Sequence, residues 1–251
     1  MARFEGDWIV VTGAASGIGA AVVRRLLSDG ASVLACDLSQ DALGSLYGEL
    51  PDEKRLETAR LDVTNHAAAL EMVASARARH GALRGLVNCA GIAGVANIMD
   101  VEPDAYRKVM GVNLDGTINM CQAFVRAVKD DKNHRAIVNI SSGAGLMGVA
   151  NRLPYVAAKF GVSGITKSMS PELGPLGIRV NAVAPGVTRT PFMEYVLKDP
   201  AAAARIIAAH PIGRIGEPEE IANVIVFLLT DDASFMTGAV VSVDGGQTAC
   251  L

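Results

Sequence analysis

The chain has 251 residues, of which 50% are hydrophobic and 20% are charged. That composition excludes a disordered protein, and a chain of this length buries enough surface to fold without a disulfide or a bound metal. The 23 basic and 26 acidic side chains are scattered and give a formal net charge of −3, so no basic face indicates a nucleic-acid partner.

The sequence favours a soluble, cytoplasmic protein with reduced cysteines. Its N-terminus lacks a basic segment followed by an apolar run, and no apolar stretch approaches the roughly 18 residues of a membrane span. The four cysteines, Cys36, Cys89, Cys121 and Cys250, lie far apart and show no metal-ligand spacing. We therefore expect neither a metal site nor a disulfide framework.

Short apolar runs alternate with longer helical patterns along the chain. The predicted strands are Trp8–Thr12, Ser32–Asp37, Leu56–Leu61, Leu86–Asn88 with its flanks, Ala136–Ser141, Arg179–Ala184 and Ala239–Val243. The predicted helices are Ile18–Ser28, Asp41–Leu50, Ala67–Arg79, Pro103–Val128, Pro154–Leu173 and Pro218–Leu229. The alternation predicts a single α/β domain over residues 1–251, of the Rossmann type, with about seven parallel strands and helices on both faces. Such sheets bind ligands at the carboxyl ends of their strands.

The first predicted strand leads directly into a glycine-rich turn. Gly13 permits a tight turn, Gly17 lets the backbone approach a pyrophosphate, and Gly19 lets the next helix pack close to the strand. The free N–H groups of the helix start, next to Ser16 and Ile18, can bind phosphates. Three glycines in seven residues also fit an ordinary turn, so the loop alone does not decide between the two.

Asp37 strengthens the dinucleotide interpretation. It closes the second predicted strand 18 residues after Gly19, where a carboxylate can accept hydrogen bonds from a ribose 2′-OH and would repel a 2′-phosphate. Neither Ala14, Ala15 nor Leu38 supplies a compensating Arg or Lys, and Leu38 is counted among the cofactor-binding residues. These residues predict NAD rather than NADP. The alternative is that Asp37 merely caps the helix that follows.

Several further motifs accompany the glycine turn. They are Asp62-Val63, Asn88-Cys89-Ala90-Gly91, Pro185-Gly186-Val187-Thr188-Arg189-Thr190 and Asp244-Gly245-Gly246. Together with the spacing Gly-x-x-x-Gly-x-Gly, they resemble the short-chain dehydrogenase/reductase family over essentially the whole chain. The resemblance implies cofactor contacts at Asp62, Val63, Asn88, Ala90, Gly91, Pro185, Gly186, Thr188 and Thr190. Cys89 departs from the family, which has Asn there, and so removes one stabilising amide.

The candidate catalytic residues lie in the second half of the chain. Tyr155 and Lys159 are four residues apart in a helical pattern, and a neighbouring ammonium lowers the pKa of a phenol. Ser142 follows the fifth predicted strand, where its hydroxyl can hydrogen-bond a carbonyl or alkoxide; Ser141 is the competing residue, and the family's spacing favours Ser142. Asn113 lies inside a helical pattern and can simply bond to the helix backbone. In the family, this position bends the helix and holds a water that links Lys159 to solvent, while Lys159 also holds the nicotinamide ribose.

The substrate end of the site is predicted from apolar residues. The segment at about 187–212 is expected to form a lid carrying Phe192, Met193, Tyr195 and Val196, followed by an alanine-rich helix, and the opposite wall is expected to include Leu146, Met147, Val149 and Leu153. This pocket favours a hydrophobic or compact secondary alcohol or ketone. Arg152 either binds an anionic group of the substrate or is a solvated loop arginine.

The family resemblance also implies a homodimer or homotetramer, formed in part by the helix that carries Tyr155. Pro171 lies in that helix, and because proline removes a backbone donor we expect a bend near Ser170.

The function predicted from these residues is NAD-dependent interconversion of a secondary alcohol and a ketone, with Tyr155 as acid and base. Two alternatives stay open, a reductase of 3-oxoacyl thioesters and a catalytically silent dinucleotide-sensing protein. The first would prefer NADPH, and the second would not need the set Asn113, Ser142, Tyr155 and Lys159. The expected partner is a small molecule rather than a nucleic acid or a membrane.

Overall fold

In the computed structural model, which describes residues 4–48, 54–131, 133–191, 193 and 198–249, parallel strands form a central sheet. The strands are β1 (Trp8–Thr12), β2 (Ser32–Asp37), β3 (Leu56–Arg60), β4 (Leu83–Asn88), β5 (Arg135–Ile140), β6 (Ile178–Pro185) and β7 (Val240–Val243). Within the described residues the sheet has seven strands in the order β3-β2-β1-β4-β5-β6-β7, and every pair is parallel. The predicted fold class is confirmed.

The helices follow the predicted alternation. They are α1 (Gly17–Ser28), α2 (Gln40–Tyr47), α3 (His66–His80), α4 (Pro103–Met110), α5 (Gly116–Val128), α6 (Leu153–Leu173), α7 (Pro200–Ala208) and α8 (Pro218–Leu229). The helix predicted over 103–128 is divided, because a π-helical turn, Gly111–Asp115, separates α4 from α5. The helix predicted to reach Leu50 ends at Tyr47, and residues 49–53 lie outside the described residues.

The core has two layers because successive strand side chains point to opposite faces of the sheet. In β1, Ile9 and Val11 belong to the apolar layer that includes α1 and α8, whereas Val10 belongs to the layer that includes α3 and α5. All three are fully buried. Burying each such side chain stabilises the fold by about 1.5–3 kcal/mol, which accounts for the nearly continuous apolar runs in the sequence.

The strand order reverses direction next to β1. From β1 the chain adds β2 and β3 on one side, and β4 then pairs with the other side of β1. A reversal of this kind opens a crevice at the carboxyl ends of the strands. Thr12, Asp37, Asn88, Ile140 and Pro185 end their strands at this edge, so the predicted motifs meet there.

Proline does not end the helix that carries Tyr155. The helix α6 continues through Pro171 to Leu173, and a 3-10 turn, Gly174–Leu176, follows. Pro171 lies in the last turn, where its missing N–H removes only one bond from a helix of 21 residues. The helix therefore runs through to Leu173, where the sequence analysis also ended it, and the bend expected near Ser170 stays a prediction.

Among the described residues, no helix combines the length and apolar character that crossing a bilayer requires.

Candidate active site

The predicted site residues gather around one cavity of about 760 Å³. Those on its wall are Gly13, Ser16, Gly17, Ile18, Gly19, Asp37, Leu38, Asp62, Val63, Ala90, Gly91, Asn113, Ser142, Tyr155, Lys159, Pro185, Gly186, Thr188 and Thr190. Asn88 is different, because its side chain turns into the core and its Nδ2 donates to Asn139 Oδ1 at 2.9 Å. Within the described chain, the Asn88 Oδ1 atom is buried without a hydrogen-bond partner.

The glycine-rich loop is held by two hydrogen bonds to the end of β2 and by one from α2. The Ala14 N–H donates to the Cys36 carbonyl (3.1 Å), and the Ala15 N–H donates to Asp37 Oδ2 (3.0 Å). The Tyr47 hydroxyl donates to the Ala14 carbonyl at 2.7 Å from its buried position in α2. Tyr47 was not predicted as a site residue, and no motif marks it.

Close contacts explain two of the glycines. Gly13 has a φ of +64°, and a Cβ there would lie 2.7 Å from the Ala90 backbone nitrogen. A Cβ on Gly19 would overlap the Gly13 carbonyl oxygen. The close packing keeps the start of α1 at the cavity wall, where Ser16 is extended and its hydroxyl makes no capping bond within the described chain. The N–H groups of this turn therefore fit the pyrophosphate of a dinucleotide.

Asp37 is held by the backbone rather than acting as a helix cap. Its Oδ1 accepts from the Ser39 N–H at 3.1 Å, and its Oδ2 accepts from Ala15. The cap of α2 is Ser39, whose Oγ accepts from the Ala42 N–H at 3.2 Å. The alternative that Asp37 merely caps α2 is therefore wrong. A carboxylate has about four acceptor positions, so Asp37 can still accept from ribose hydroxyls.

The structure brings Ser142, Tyr155 and Lys159 together at the end of β5. The Ser142 side chain hydrogen-bonds the Tyr155 phenol. Lys159 Nζ lies 5.6 Å from the centroid of the Tyr155 ring and donates to the Ile140 carbonyl at 2.8 Å. Ser141 has a different environment, because its hydroxyl is buried against Ser163 Oγ at 2.8 Å.

Burial and charge act on the two titratable groups of this cluster. Burial raises the pKa of Tyr155, while the hydrogen bond from Ser142 and the positive charge of Arg152 lower it. Burial lowers the pKa of Lys159 to about 8. Lys159 therefore keeps most of its positive charge at neutral pH, although it is only 5% exposed.

Asn113 lies in the π-helical turn and is 1% exposed. Its Nδ2 donates to the Val109 carbonyl (2.9 Å) and to the Ile92 carbonyl (3.0 Å), and its Oδ1 accepts from the Ile92 N–H (3.3 Å). The side chain thus binds its own helix, as the sequence allowed, and also the segment after β4. A Cβ on Gly91 would lie 2.7 Å from Asn113 Oδ1 and 3.8 Å from Lys159 Nζ, so Gly91 is where these two side chains approach the cavity.

Comparisons with known proteins agree with this geometry. A family model described as enoyl-(acyl carrier protein) reductase matches residues 13–248. The 3-oxoacyl-[acyl-carrier-protein] reductase of Thermotoga maritima is 39% identical, over 97% of this chain and 98% of that protein. The cis-4-hydroxycyclohexanecarboxylate dehydrogenase of Sinomonas cyclohexanicum is 40% identical, over 96% of each chain. A solved short-chain type dehydrogenase/reductase from Mycobacterium ulcerans superposes with a TM-score of 0.94 at 31% identity, over 98% of this chain and 91% of that one.

The chain belongs to the short-chain dehydrogenase/reductase family. It is therefore an oxidoreductase of a family that binds a nicotinamide dinucleotide. The glycine-rich loop, the close approach of Gly13 to Ala90 and the acceptor positions of Asp37 fit such a cofactor.

The loop after β6 is joined to the following segment by a histidine. The Thr188 hydroxyl donates to the Gly186 carbonyl at 3.1 Å. The Val187 N–H donates to His210 Nε2 (3.3 Å), and His210 Nδ1 lies 2.7 Å from the Ile206 carbonyl, to which it donates in the tautomer that both bonds require. His210 is 3% exposed, and it was not among the predicted site residues.

The predicted substrate walls are only partly placed. Met147 and Val149 line the cavity on one side, and Met193 and Ile206 line it on the other. Leu146 and Leu153 are not on its wall; Leu153 begins α6 beside a shallow hollow on the outer surface. Of the predicted lid residues, Phe192, Tyr195 and Val196 lie outside the described residues, as does Cys250.

Further residues of the cavity wall were not among the predicted site residues. They include Cys89, Lys108 and Gln247. Burial raises the pKa of Cys89 to about 12, so its thiol is protonated at neutral pH and is a poor nucleophile. Among the described residues, no group of three or more His, Cys, Asp or Glu side chains could hold a metal ion.

Proposed function

We propose that this protein is an NAD-dependent oxidoreductase that interconverts a secondary alcohol and a ketone. The observation that carries the proposal is the assembly of Ser142, Tyr155 and Lys159 on the wall of the cavity that the glycine-rich loop also lines. A proton-transferring group and a cofactor site are then within one enclosed space. The similarity to a dehydrogenase named for a ring secondary alcohol, 4-hydroxycyclohexanecarboxylate, supports the reaction class.

In this proposal Tyr155 exchanges the proton of the substrate oxygen. When bound, the nicotinamide supplies the hydride acceptor or donor. Ser142 orients the substrate oxygen through its hydroxyl, and because it hydrogen-bonds the Tyr155 phenol it favours the phenolate form. The ammonium of Lys159, 5.6 Å from the Tyr155 ring centroid, stabilises negative charge on the phenol. Asn113 positions this group through its bonds to the Ile92 backbone.

The preference for NAD is assigned to Asp37. Both of its oxygens already accept from backbone N–H groups, which fixes the carboxylate at the adenosine end of the cavity. A fixed negative charge accepts hydrogen bonds from a ribose 2′-OH and repels a 2′-phosphate.

The remaining predictions belong to the same proposal. Residues 1–251 form one cofactor-binding and catalytic domain, and the segment at about 187–212 covers the substrate. The protein is cytoplasmic and forms a homodimer or homotetramer, as is common in the family. Asp62, Val63, Asn88, Pro185 and Thr190 stay candidate cofactor-binding residues.

A second candidate is a reductase of 3-oxoacyl thioesters. The similarity to the Thermotoga maritima enzyme of that name favours it. Asp37 speaks against it to the extent that such reduction depends on NADPH. A dinucleotide-sensing protein without catalysis is the third possibility, and the assembled Ser142, Tyr155 and Lys159 argue against it.

The test is an initial-rate assay of NADH absorbance with NAD or NADP over a panel of secondary alcohols, diols, hydroxy acids and polyols, and of 3-oxoacyl thioesters in the reverse direction. We expect turnover of one alcohol class with NAD preferred. Tyr155→Phe should keep NADH binding, measured by fluorescence, and lower kcat by about 10²- to 10⁴-fold. Tyr106→Phe is the matched control, because Tyr106 lies in α4 and is not on the cavity wall, and it should leave kcat unchanged.

Three outcomes contradict parts of the proposal. Wild-type turnover by Tyr155→Phe would remove Tyr155 from the mechanism. NADH binding without turnover of any compound would favour the sensor, and a preference for NADP with turnover of 3-oxoacyl thioesters would favour the second candidate.

A further inference from the structure

We propose that Arg152 binds an anionic group of the substrate, so that the substrate is an apolar secondary alcohol or ketone that carries a carboxylate. This inference rests on the proposed function and names the substrate class of the same site. Sequence alone left Arg152 open between this role and that of a solvated loop residue. The arrangement of its backbone, its place on the cavity wall and the distribution of charge around the cavity carry the assignment.

The backbone at Arg152 is fixed by its neighbours. Asn151 has a φ of +59°, in the left-handed region that Asn tolerates better than most residues. The Ala96 N–H donates to the Asn151 carbonyl and the Leu153 N–H donates to the Ala96 carbonyl, both at 3.1 Å. The Arg152 carbonyl accepts from the Val156 N–H at 2.8 Å in the first turn of α6. The guanidinium therefore projects from a fixed point, which lowers the entropy lost when it binds a ligand.

Arg152 acts in the part of the cavity where the reaction is expected. Its side chain lines the cavity, three residues before Tyr155 on the same helix. Its positive charge also acts on the Tyr155 phenol, in the direction that favours the phenolate. An anion held by Arg152 would thus lie next to the reacting oxygen.

The carboxylates of the described cavity wall lie at one end of it. Its carboxylates, Asp37 and Asp62, follow β2 and β3 at the adenosine end. Elsewhere the described wall has apolar side chains, including Met147, Val149 and Ile206, besides polar groups such as Ser142 and Gln247, and it carries no carboxylate. An apolar ligand body with one anionic group is complementary to a wall of this kind, and a planar guanidinium suits a carboxylate because it can donate two parallel hydrogen bonds.

The pairing would also protect the proton transfer. A carboxylate close to Tyr155 disfavours the phenolate by like-charge repulsion, and so raises the pKa of the phenol. Arg152 would offset the negative charge of the carboxylate by pairing with it. The same residue can therefore select an anionic substrate and limit the cost of that selection for catalysis.

Lys108 offers an internal comparison, because it is another cation on the cavity wall. It is exposed on α4, one turn before Val112, which packs against the same apolar layer as Leu61 and Val63. This places Lys108 nearer the adenosine end than Arg152. If position in the cavity matters, the two cations should differ in their effect on substrate choice.

The test uses the full-length protein saturated with NADH and two pairs of ligands, each made of a carboxylate and its neutral amide. The pairs are cyclohexanecarboxylate with cyclohexanecarboxamide, and hexanoate with hexanamide. Binding is followed by calorimetry and by NADH fluorescence, so no turnover is needed. We expect wild type to bind each carboxylate at least about tenfold more tightly than its amide, the scale of a charge-assisted hydrogen bond. Arg152→Gln should abolish the difference, Arg152→Lys should keep part of it, and Lys108→Gln should leave it unchanged.

Equal affinity for acid and amide in wild type, absence of carboxylate binding, or an undiminished preference in Arg152→Gln would each overturn the inference. Loss of the preference in Lys108→Gln would also overturn it, in favour of the other cation. A merely electrostatic role toward Tyr155 would shift the pH profile of Arg152→Gln and leave the acid-to-amide ratio at its wild-type value. Failure to bind NADH would instead contradict the proposed function itself.

Discussion

The two ends of the cavity use different parts of the chain. At the adenosine end, backbone groups of the glycine-rich loop line the wall, and the side chains of Asp37 and Tyr47 hold that loop by hydrogen bonds to its backbone. At the Tyr155 end, side chains from residues 143–152 and from the segment after β6 form the wall. Backbone recognition requires glycine at particular positions and leaves a visible motif, whereas side-chain recognition can change residue by residue without one. The spacing of the glycines therefore indicates a dinucleotide site, whereas the proposed substrate class depends on an individual side chain, Arg152.

The largest effect at the adenosine end is expected from adding one methyl group. Gly19→Ala places a Cβ against the Gly13 carbonyl and should displace α1 from β1. We expect the free energy of unfolding to fall by about 1–3 kcal/mol, as for other overpacked sites, and NADH binding to be lost or severely weakened. Gly44→Ala is the matched control, because Gly44 lies inside α2 with open space around it. It should raise the free energy of unfolding by about 0.5–1 kcal/mol; equal effects of the two changes would contradict the packing argument.

A charge change at the same end should move cofactor preference. Asp37→Asn keeps an acceptor for the Ala15 N–H and removes the negative charge. We expect the NAD-to-NADP ratio of kcat/KM to fall at least about tenfold, since close like charges cost several kcal/mol. Asp62→Asn is the control: Asp62 Oδ1 is bound by the Thr64 N–H and hydroxyl, and its change should affect both cofactors alike. A ratio that does not move in Asp37→Asn would remove that residue from cofactor choice.

Within the segment after β6, His210 links the Val187 N–H to the end of α7. His210→Ala leaves that N–H without its acceptor, at a cost of about 1–3 kcal/mol, and should raise the substrate KM more than it lowers kcat. His210→Gln can accept from Val187 and donate to Ile206, so it should recover most of the loss. Steady-state kinetics on the three proteins measure this, and equal defects in both variants would show that ring packing rather than hydrogen bonding is what matters.

The last expected effect concerns stability alone, because the free energy of unfolding should depend on pH through Lys159. Burial lowers the pKa of Lys159 from 10.5 to about 8 in the folded protein. Between pH 8 and 10.5 the unfolded chain binds more protons at this residue, so the free energy of unfolding should rise with pH relative to Lys159→Met. Below pH 8 the difference in the free energy of unfolding between wild type and Lys159→Met should not change with pH, and it should be least favourable to wild type. Denaturation curves across pH 7–11 test this, and a difference that falls with pH would have the wrong sign.

Much of the fold followed from the sequence because strand and helix patterns alternate without interruption. The bounds of β1 and β2 agree residue for residue with the prediction, since both strands are buried on both faces and flanked by turn residues. The helical pattern over 103–128 did not show its division, because the π-helical turn depends on the carbonyl partners of Asn113 at Val109 and Ile92; only the family resemblance implied a bend at Asn113. The helix that carries Tyr155 ends at Leu173, as predicted, although it contains Pro171, because only its last turn lies beyond the proline.

The candidate site divides in the same way. The motifs correctly predicted that Gly13, Asp37 and Tyr155 line one cavity. Gly13 and Asp37 lie where strands end at the sheet edge, and Tyr155 lies where a helix begins there. Tyr47 and His210 were missed because each acts through a backbone atom far away in the chain. The burial of the Asn88 side chain was missed for a related reason, since its partner Asn139 lies on the neighbouring strand β5.

The π-helical turn has a consequence for the helix as a whole. At 3.6 residues per turn, one extra residue rotates everything after it by about 100° about the helix axis. The run from Pro103 to Val128 therefore has two rotational phases: Val109 faces Gly94 and the start of α6, while Met120 and Phe124 face the layer of α3. Deleting one residue within Gly111–Asp115 would restore a uniform helix and turn one of these faces away from its layer. The extra residue lets one continuous helical run pack against two differently oriented surfaces. Asn113 lies where the rotational position of the helix faces changes.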